Sequence, residues 1–518
     1  MNSHNHSAAI RLPLNPHTRS FTRFLLFVIG YFIISHSGAL AAPNILLILA
    51  DDFGWGDASC NNPDAAFETK NIDRIAAEGA RFTNAHTPHA VCTPTRYALL
   101  TGRYCWRTEL REGVLPGYGK SLIRPNRLTL ASLLKKHDYR TGVFGKWHLG
   151  LDWVPVEGDP GDWHWGTQVW MNAKPAIALI GDRIDHSKPP TVGPKQLGFD
   201  RAFITPSNNT RVPVFFRDDR IDGTPAKDEE GMMRDPRVQR DTVDDFHVRE
   251  AIAFLEEWQS DHADNPFFLY LPLNAIHAAT NTPKRFKGKT KDGLRGDKAL
   301  WLDESIGKIF AALERLDTLD DTLIIFTSDN GPIPPTRYNP DSPHRAAGPY
   351  RGYKSDALEG GCRVPFLVRW PGHVKPGTVN DNLLSLSDVI ATFAALVDEP
   401  LPEWAGEDSV NQLPVLLGQT DTPVRSHLIT QSNAGAMAIR SADWKLILGT
   451  EGAGGIKTPD AQPIVITQPW AFEPTPAAQL YNLKDDPYEQ NDLYDSHPEQ
   501  AKKLHNLLKE QIWSGRSR

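Results

Sequence analysis

The sequence predicts an α/β protein: a large, mostly parallel central sheet flanked by helices, followed by a smaller α+β subdomain with a short antiparallel sheet. Three observations predict it. Short apolar runs end abruptly in charged or polar residues, as where Ile45–Ala50 meets Asp51 and Asp52; strands buried on both faces need such uninterrupted runs. These runs alternate with longer amphipathic stretches, the order expected of helices covering a parallel sheet. Past about residue 400 the texture changes to short strand-like pieces and one terminal helix. The first region is read as residues 42–400 and the second as 401–518.

The N-terminal segment stands apart. It carries Arg11, Arg19 and Arg23 and no acidic residue, then the apolar run Phe24–Ile34, then Ala39-Leu40-Ala41. Basic region, short apolar core and A-x-A site in that order predict a cleaved secretory signal over residues 1–41, hence a periplasmic or secreted protein. The apolar run covers about half a bilayer core, so no stable membrane anchor is expected after cleavage. Losing three cations takes the net charge from −7 to −10, which argues against a nucleic-acid partner.

Along the mature chain, "NILLILADDFG" reads as a strand and "TKNIDRIAAEGARF" as a helix. A helix at "TLASLLKKHD" precedes the strand "RTGVFGKWHLG". Residues 151–240, rich in Pro, Gly and Asp and holding Trp153, Trp163, Trp165 and Trp170, read as an inserted, pocket-shaping loop system. Helix and strand then alternate through "DDFHVREAIAFLEEWQ", "PFFLYLPLNAIHAA", "LWLDESIGKIFAALERL" and "TLIIFTSDNG". The strand "CRVPFLVRW" and the helix "SDVIATFAALVD" close the first region. The second offers "HLITQS", "MAIRS" and "WKLILG" as strands and "HPEQAKKLHNLLKEQIW" as a helix.

Ligands of open α/β sheets bind beyond the carboxyl ends of strands, and those ends carry polar cargo here. Asp51 and Asp52 end one strand, and Asp329 and Asn330 another. Together they offer hard oxygen donors suited to Ca²⁺ or Mg²⁺, although two unrelated turns would contain the same residues. Lys146 and His148 lie two apart at a third strand end, a spacing that sends both side chains to one face. His277 and Lys354 also follow or separate apolar strands. The four cysteines, Cys60, Cys92, Cys105 and Cys362, form no C-x-x-C pair and are too few for a disulfide scaffold. Their pairing stays open.

The segment "CTPTRYALLTG" fits C-x-P-x-R-x-x-x-L-T-G at Cys92, Pro94, Arg96, Leu100, Thr101 and Gly102. "NILLILADDFGWGD" stands before it, and "GKWHLG", "GFD", "TSDNG", "EGGCRVPF" and the terminal "LYNLKDDPYEQNDL" follow in order. On these motifs the chain resembles the formylglycine-dependent sulfatases, in their arylsulfatase and N-acetylgalactosamine-6-sulfatase branch. The resemblance implies an alkaline-phosphatase-like sandwich. It implies that a formylglycine-generating or other sulfatase-maturing enzyme oxidises Cys92 to Cα-formylglycine, whose hydrate attacks sulfur. One Ca²⁺ would be held by Asp51, Asp52, Asp329, Asn330 and residue 92. Arg96 and Lys146 would steady the diol and the metal end of the site. His148 would take a proton as the sulfated form of residue 92 breaks down. His277 and Lys354 would bind sulfate, one of them protonating the leaving alcohol.

The implied substrate is a sulfated oligo- or polysaccharide, with aryl sulfates as artificial substrates. Asn208, Asn209, Arg211, His344 and Arg345 are the candidate sugar contacts. A phosphonate monoester or phosphodiester hydrolase of the same superfamily is the alternative enzyme. A non-catalytic sulfated-glycan-binding protein is the alternative of another class.

Overall fold

A parallel strand covered on both sides has no position to spare for a polar side chain. Asn44–Ala50 (β1) meets this demand: Ile45, Leu47 and Leu49 enter one core, and Leu46, Ile48 and Ala50 enter the other. Burying each of the larger side chains contributes roughly 1.5–3 kcal/mol. The computed structural model describes residues 42–157, 178, 180–208, 210–450 and 477–518. The expected signal segment, Trp163, Trp165, Trp170 and Asn209 therefore lie outside the described residues.

After β1 come α1 (Lys70–Ala77), β2 (Ala80–Phe82), α2 (Cys92–Thr101), α3 (Leu130–Lys135), β3 (Arg140–Lys146) and β4 (Arg201–Thr205). Then follow α4 (Val243–Asp261), β5 (Phe267–Pro272), α5 (Leu294–Arg315), β6 (Thr322–Ser328), β7 (Phe366–Arg369) and α6 (Val389–Leu396). Among the described residues a ten-stranded sheet runs Thr378–Asn380, β2, β7, β6, β1, β5, β3, β4, Phe216–Arg217, Arg220–Ile221. Its centre, β6-β1-β5-β3-β4, is parallel throughout. Antiparallel pairs lie on both flanks.

Helices cover both faces. α2, α3 and α6 supply Leu99, Leu130 and Phe393 to one core, while α1, α4 and α5 supply Ile72, Phe254 and Ile306 to the other. Register matters most for function. Ala50 pairs with Ser328 and Leu49 with Pro272, so the residues after β1, β6 and β5 leave the sheet level with one another.

The second region forms a four-stranded antiparallel sheet: β8 (His427–Gln431), β9 (Met437–Ser441), β10 (Trp444–Ile447) and β11 (Gln479–Asn482). One face takes Leu504 and Leu508 of α7 (Pro498–Trp513), and the other packs Ile447 and Tyr481 against Ala357 and Leu358. Residues 42–518 group as one compact unit. No helix among the described residues is long and apolar enough to cross a membrane.

Three expectations are corrected. The helix expected through "ARF" stops at Ala77, and Ala80–Phe82 is a strand; a Cβ on Gly79 would lie 2.0 Å from the Val368 oxygen, so the chain presses directly onto β7 there. The insert is not all loop, because Arg201–Thr205 extends the parallel sheet beside β3. The strand expected from Cys362 begins at Phe366, with Glu359–Cys362 forming a helical turn. All four cysteines are unpaired.

Candidate active site

Neighbouring strands deliver one cluster of side chains. Asp51 and Asp52 follow β1, Asp329 and Asn330 follow β6, and Lys146 ends β3 with His148 two residues on. The chain beyond β5 turns to His277, and the loop between β6 and β7 brings Lys354. Asp52 and His148 hold φ of 64° and 56°, left-handed conformations that cost a non-glycine residue and gather at functional sites. Before Lys146, a Cβ on Gly145 would sit 2.0 Å from the Pro272 oxygen, so only glycine allows β3 and β5 to close there.

Cys92 opens α2, where free backbone N–H groups and the helix dipole favour negative charge. Pro94 falls in the first turn, the one place a helix tolerates it. Arg96, one turn on, shares the Cys92 face and grips Asp329 Oδ2 through Nε at 2.9 Å and Nη2 at 2.8 Å. The same Nη2 lies 3.4 Å from Asp51 Oδ2, which also meets Lys146 Nζ at 2.5 Å. Asp52 Oδ1 accepts from Asn330 Nδ2 at 2.8 Å and pairs with the Lys354 ammonium.

Those contacts leave Asp51 Oδ1, Asp52 Oδ2 and Asn330 Oδ1 buried with no hydrogen-bond partner. Orphan buried oxygens cost about 1–3 kcal/mol each, more when charged. Burial works to raise the Asp51 and Asp52 carboxyls. Lys146 against Asp51, Lys354 against Asp52 and the surrounding cations outweigh it, holding both below the ordinary carboxylate range. Burial and the Asp51 charge push Asp329 up to about 6. Anionic, hard, unsatisfied oxygens fit a hard divalent cation.

His277 also has an atom within 4.8 Å of Asp51 and Asp52 oxygens, but its tautomer makes it a poor ligand. Its Nδ1 accepts the Ala279 N–H at 3.0 Å, so neutral His277 carries its proton on Nε2, 3.9 Å from Asp52 Oδ2. Burial pushes His277 down to about 3. His277 is therefore a neutral Nε2–H donor aimed at the cluster.

His148 is set the opposite way. Its Nε2 faces the Leu115 carbonyl at 3.1 Å, which can only accept, so the proton sits there. Nδ1 then turns a lone pair to Cys92 Sγ at 3.2 Å. Burial, with Lys146, Arg96 and Arg211, keeps the ring well below its usual pKa, and Thr93 Oγ1 fixes the His148 carbonyl at 2.9 Å. Burial also raises the Cys92 thiol despite Lys146 and Lys354, which works against the thiolate form that a cysteine nucleophile needs. Side-chain exposure separates two groups: His277 (15%) and Lys354 (12%) reach the open side, while Asp51, Asp52, Arg96 and Lys146 are fully enclosed.

The candidate sugar contacts divide. Arg211 is near enough to influence Cys92 and His148 electrostatically. Asn208 is buried and its Oδ1 accepts from Thr210 Oγ1 at 2.7 Å. His344 has both ring nitrogens engaged inside the protein, Nε2 with Asp57 at 2.9 Å and Nδ1 with the Ala66 N–H at 3.3 Å, leaving none for a sugar. Arg345 is exposed. Trp153 packs edge-on against Tyr118 and Phe216 inside the core, which fills the insert rather than offering a stacking face.

Three neighbours of the site were not legible as such. Lys298 of α5 is buried, donates to the His277 carbonyl at 3.2 Å and lies 5.1 Å from the Tyr338 ring centre. Tyr338 donates to the Ile276 carbonyl at 3.1 Å. Arg295 pairs with Asp57 and donates to the Asp52 carbonyl at 3.0 Å. In sequence, "LRGDKA" reads as the solvated first turn of a helix, and only its burial reveals otherwise.

Residues 43–399 match the family model described as Sulfatase. The chain is 33% identical to N-acetylgalactosamine-6-O-sulfatase of Bacteroides thetaiotaomicron, over 90% of this chain and 92% of that one. It is 32% identical to human arylsulfatase A, over 91% and 88%. A solved structure from work on metabolism of multiple glycosaminoglycans by Bacteroides thetaiotaomicron superposes with a TM-score of 0.73 at 32% identity, covering 90% of this chain and 98% of that one. The PsFucS1 sulfatase of Pseudoalteromonas sp., at 24% identity over 96% and 94%, shares the fold with a TM-score of 0.68.

Proposed function

The chain belongs to the sulfatase family of sulfate ester hydrolases, and on that premise we propose that it removes sulfate from a sulfated carbohydrate at the Cys92 site with a bound Ca²⁺. The observation that carries this reading is the trio of orphan oxygens, Asp51 Oδ1, Asp52 Oδ2 and Asn330 Oδ1, beside the N-terminus of the Cys92 helix. Asp51, Asp52, Asp329 and Asn330 would hold the cation, which when bound polarises sulfate oxygens. Cys92, converted to Cα-formylglycine, would supply a hydrated aldehyde. One hydroxyl would attack sulfur as the sugar oxygen leaves, and the other, losing its proton, would expel sulfate by reforming the aldehyde, where a cysteine thiolate would be left as a stable thiosulfate ester.

The protein's own groups divide the remaining work. Arg96 and Lys146 fix Asp329 and Asp51 and keep the enclosed end of the site cationic. His148 Nδ1, with its lone pair turned to residue 92, is placed to take a hydroxyl proton there. Lys354 and the Nε2–H of His277 stand on the accessible side, where they would bind sulfate and assist departure of the sugar oxygen. Arg211 would extend the cationic lining toward the sugar.

Conversion of Cys92 calls for a sulfatase-maturing enzyme, and residues 1–41, as a secretory leader, would deliver the product to the periplasm or outside the cell. We assign the catalytic region to residues 42–400 and the accessory region to 401–518. The sugar class is supported by the relatives' own names, N-acetylgalactosamine-6-O-sulfatase among them.

The test is a screen of defined sulfated saccharides for released sulfate, alongside nitrophenyl sulfate and nitrophenyl phosphodiesters. Sulfate release from a saccharide at higher kcat/KM than from nitrophenyl sulfate is expected. Faster hydrolysis of the phosphorus esters would reverse the reading.

A further inference from the structure

At the far end of the Cys92 helix, a cavity of about 260 Å³ is walled by five arginines, Arg103, Arg107, Arg111, Arg124 and Arg127, with Glu109 as its acidic lining residue. α2 rises about 1.5 Å per residue, so its last residue, Thr101, stands on the order of 14 Å from Cys92, and every residue lining the cavity except Tyr97 follows Thr101 in the chain. The cavity is thus separate from the site above.

The arginines differ in setting. Arg107 is pinned, its side chain 4% exposed, paired with Asp408 at 2.8 Å and stacked over Trp106 with 4.2 Å to the ring centre. Arg103 and Arg127 share Glu407, at 3.1 Å and 2.8 Å. Arg124 reaches Glu109 from the rim with a side chain 74% exposed, and Arg111 is an exposed rim residue anchored to the Trp106 carbonyl. Five guanidinium groups thus face three carboxylates, in a chain whose overall charge is −7. A concave surface with an excess of one sign of charge focuses potential. Guanidinium forks bind tetrahedral oxyanions through paired N–H donors. The volume approaches the lower end of small-molecule pockets, room for more than a bare ion.

We propose that this arginine pocket is a second binding site for a sulfate-bearing sugar unit, holding a polyanionic chain at a distance from the residue that desulfates it. The inference rests on the reading of the substrate as a sulfated carbohydrate. Gripping a polymer at two points raises the effective concentration of its sulfates at the catalytic end.

The test compares wild-type protein with the double variant Arg111→Ala/Arg124→Ala, whose rim positions are exposed and outside the catalytic cluster. Titration with dextran sulfate should show at least a tenfold weaker affinity for the variant, with a shallower salt dependence, since two cations no longer displace counterions. Hydrolysis of nitrophenyl sulfate should be equal in the two proteins. Equal dextran sulfate affinity would overturn the proposal. Inorganic sulfate binding the wild-type pocket as tightly as dextran sulfate would overturn the assignment to a sugar-borne group. Failure of both proteins to release sulfate from any saccharide would sink the substrate reading, while the binding difference would still decide the pocket.

Discussion

Two buried ionic clusters lie within this fold, and they are finished differently. Around Glu359, both oxygens of that carboxylate have partners, and Glu489 Oε1, which makes no hydrogen bond, still lies against the Lys445 ammonium. Glu359 Oε1 meets Lys445 at 2.9 Å, Glu359 Oε2 meets His86 at 2.8 Å and Arg363 at 3.1 Å, and Glu489 answers with Lys445 at 2.8 Å and the Glu359 N–H at 2.6 Å. Around Asp51 and Asp52, equally enclosed, three oxygens have none. Both clusters bear the cost of desolvated charge. Only the second leaves orphan oxygens on three neighbouring residues, Asp51, Asp52 and Asn330. A partnered network joins the small sheet to the large one, and the open one is where we propose that a cation and a sulfate bind.

Mutations should therefore split the clusters by readout. The largest effect is expected at Cys92→Ala, with nitrophenyl sulfate turnover falling more than about 10³-fold while the unfolding midpoint holds. Comparable activity in purified Cys92→Ala would remove the site from this region. Glu359→Gln should do the reverse. It leaves Lys445 and its neighbours short of countercharge and should cost about 3–5 kcal/mol in denaturant unfolding, with kcat per folded molecule unchanged.

Ca²⁺ should sharpen the contrast. At a hundredfold excess over Kd it should stabilise the wild-type protein by about 2.7 kcal/mol, and Asp52→Asn should abolish that increment. An undiminished calcium-induced shift in the variant would contradict the ligand assignment.

A smaller effect is expected at Lys298, a positioning residue that acts through the His277 carbonyl. Lys298→Met should lower kcat about tenfold with KM nearly unchanged, and Lys298→Arg should restore part of it. Loss of stability without that kinetic split would make Lys298 merely structural.

The smallest effect concerns pH. Burial, against the pull of Lys445 and with Glu359 adding to it, pushes Glu489 up to about 7, from an ordinary value of 4.5. The folded protein then binds more protons than the unfolded chain between those values, so this group's contribution to stability falls as pH rises from about 4.5 to 7. Glu489→Gln should flatten that part of the curve of unfolding midpoint against pH. An identical slope in the variant would place the proton elsewhere.

Much of this was legible in the sequence because the informative residues are local. β1 announced itself as Ile45–Ala50 followed by two aspartates, and α2 by Cys92, Pro94 and Arg96 at fixed spacing. What stayed hidden depends on distant contacts. Arg201–Thr205 is too short to signal a strand, and it becomes one because Gly142–Lys146 lies alongside. Lys298 resembles any solvated helical lysine until α5 buries it against His277. His344 stood beside Lys354 in sequence, yet Asp57, far away in the chain, claims its imidazole.

In the proposed reaction the open cluster serves a converted residue 92. Its most direct test is the mass of the peptide containing residue 92, taken from preparations of differing specific activity. Conversion of cysteine to formylglycine removes one sulfur and two hydrogens and adds one oxygen. Sulfate release should rise in proportion to the converted fraction; full activity with Cys92 entirely unmodified would contradict a role for the converted residue.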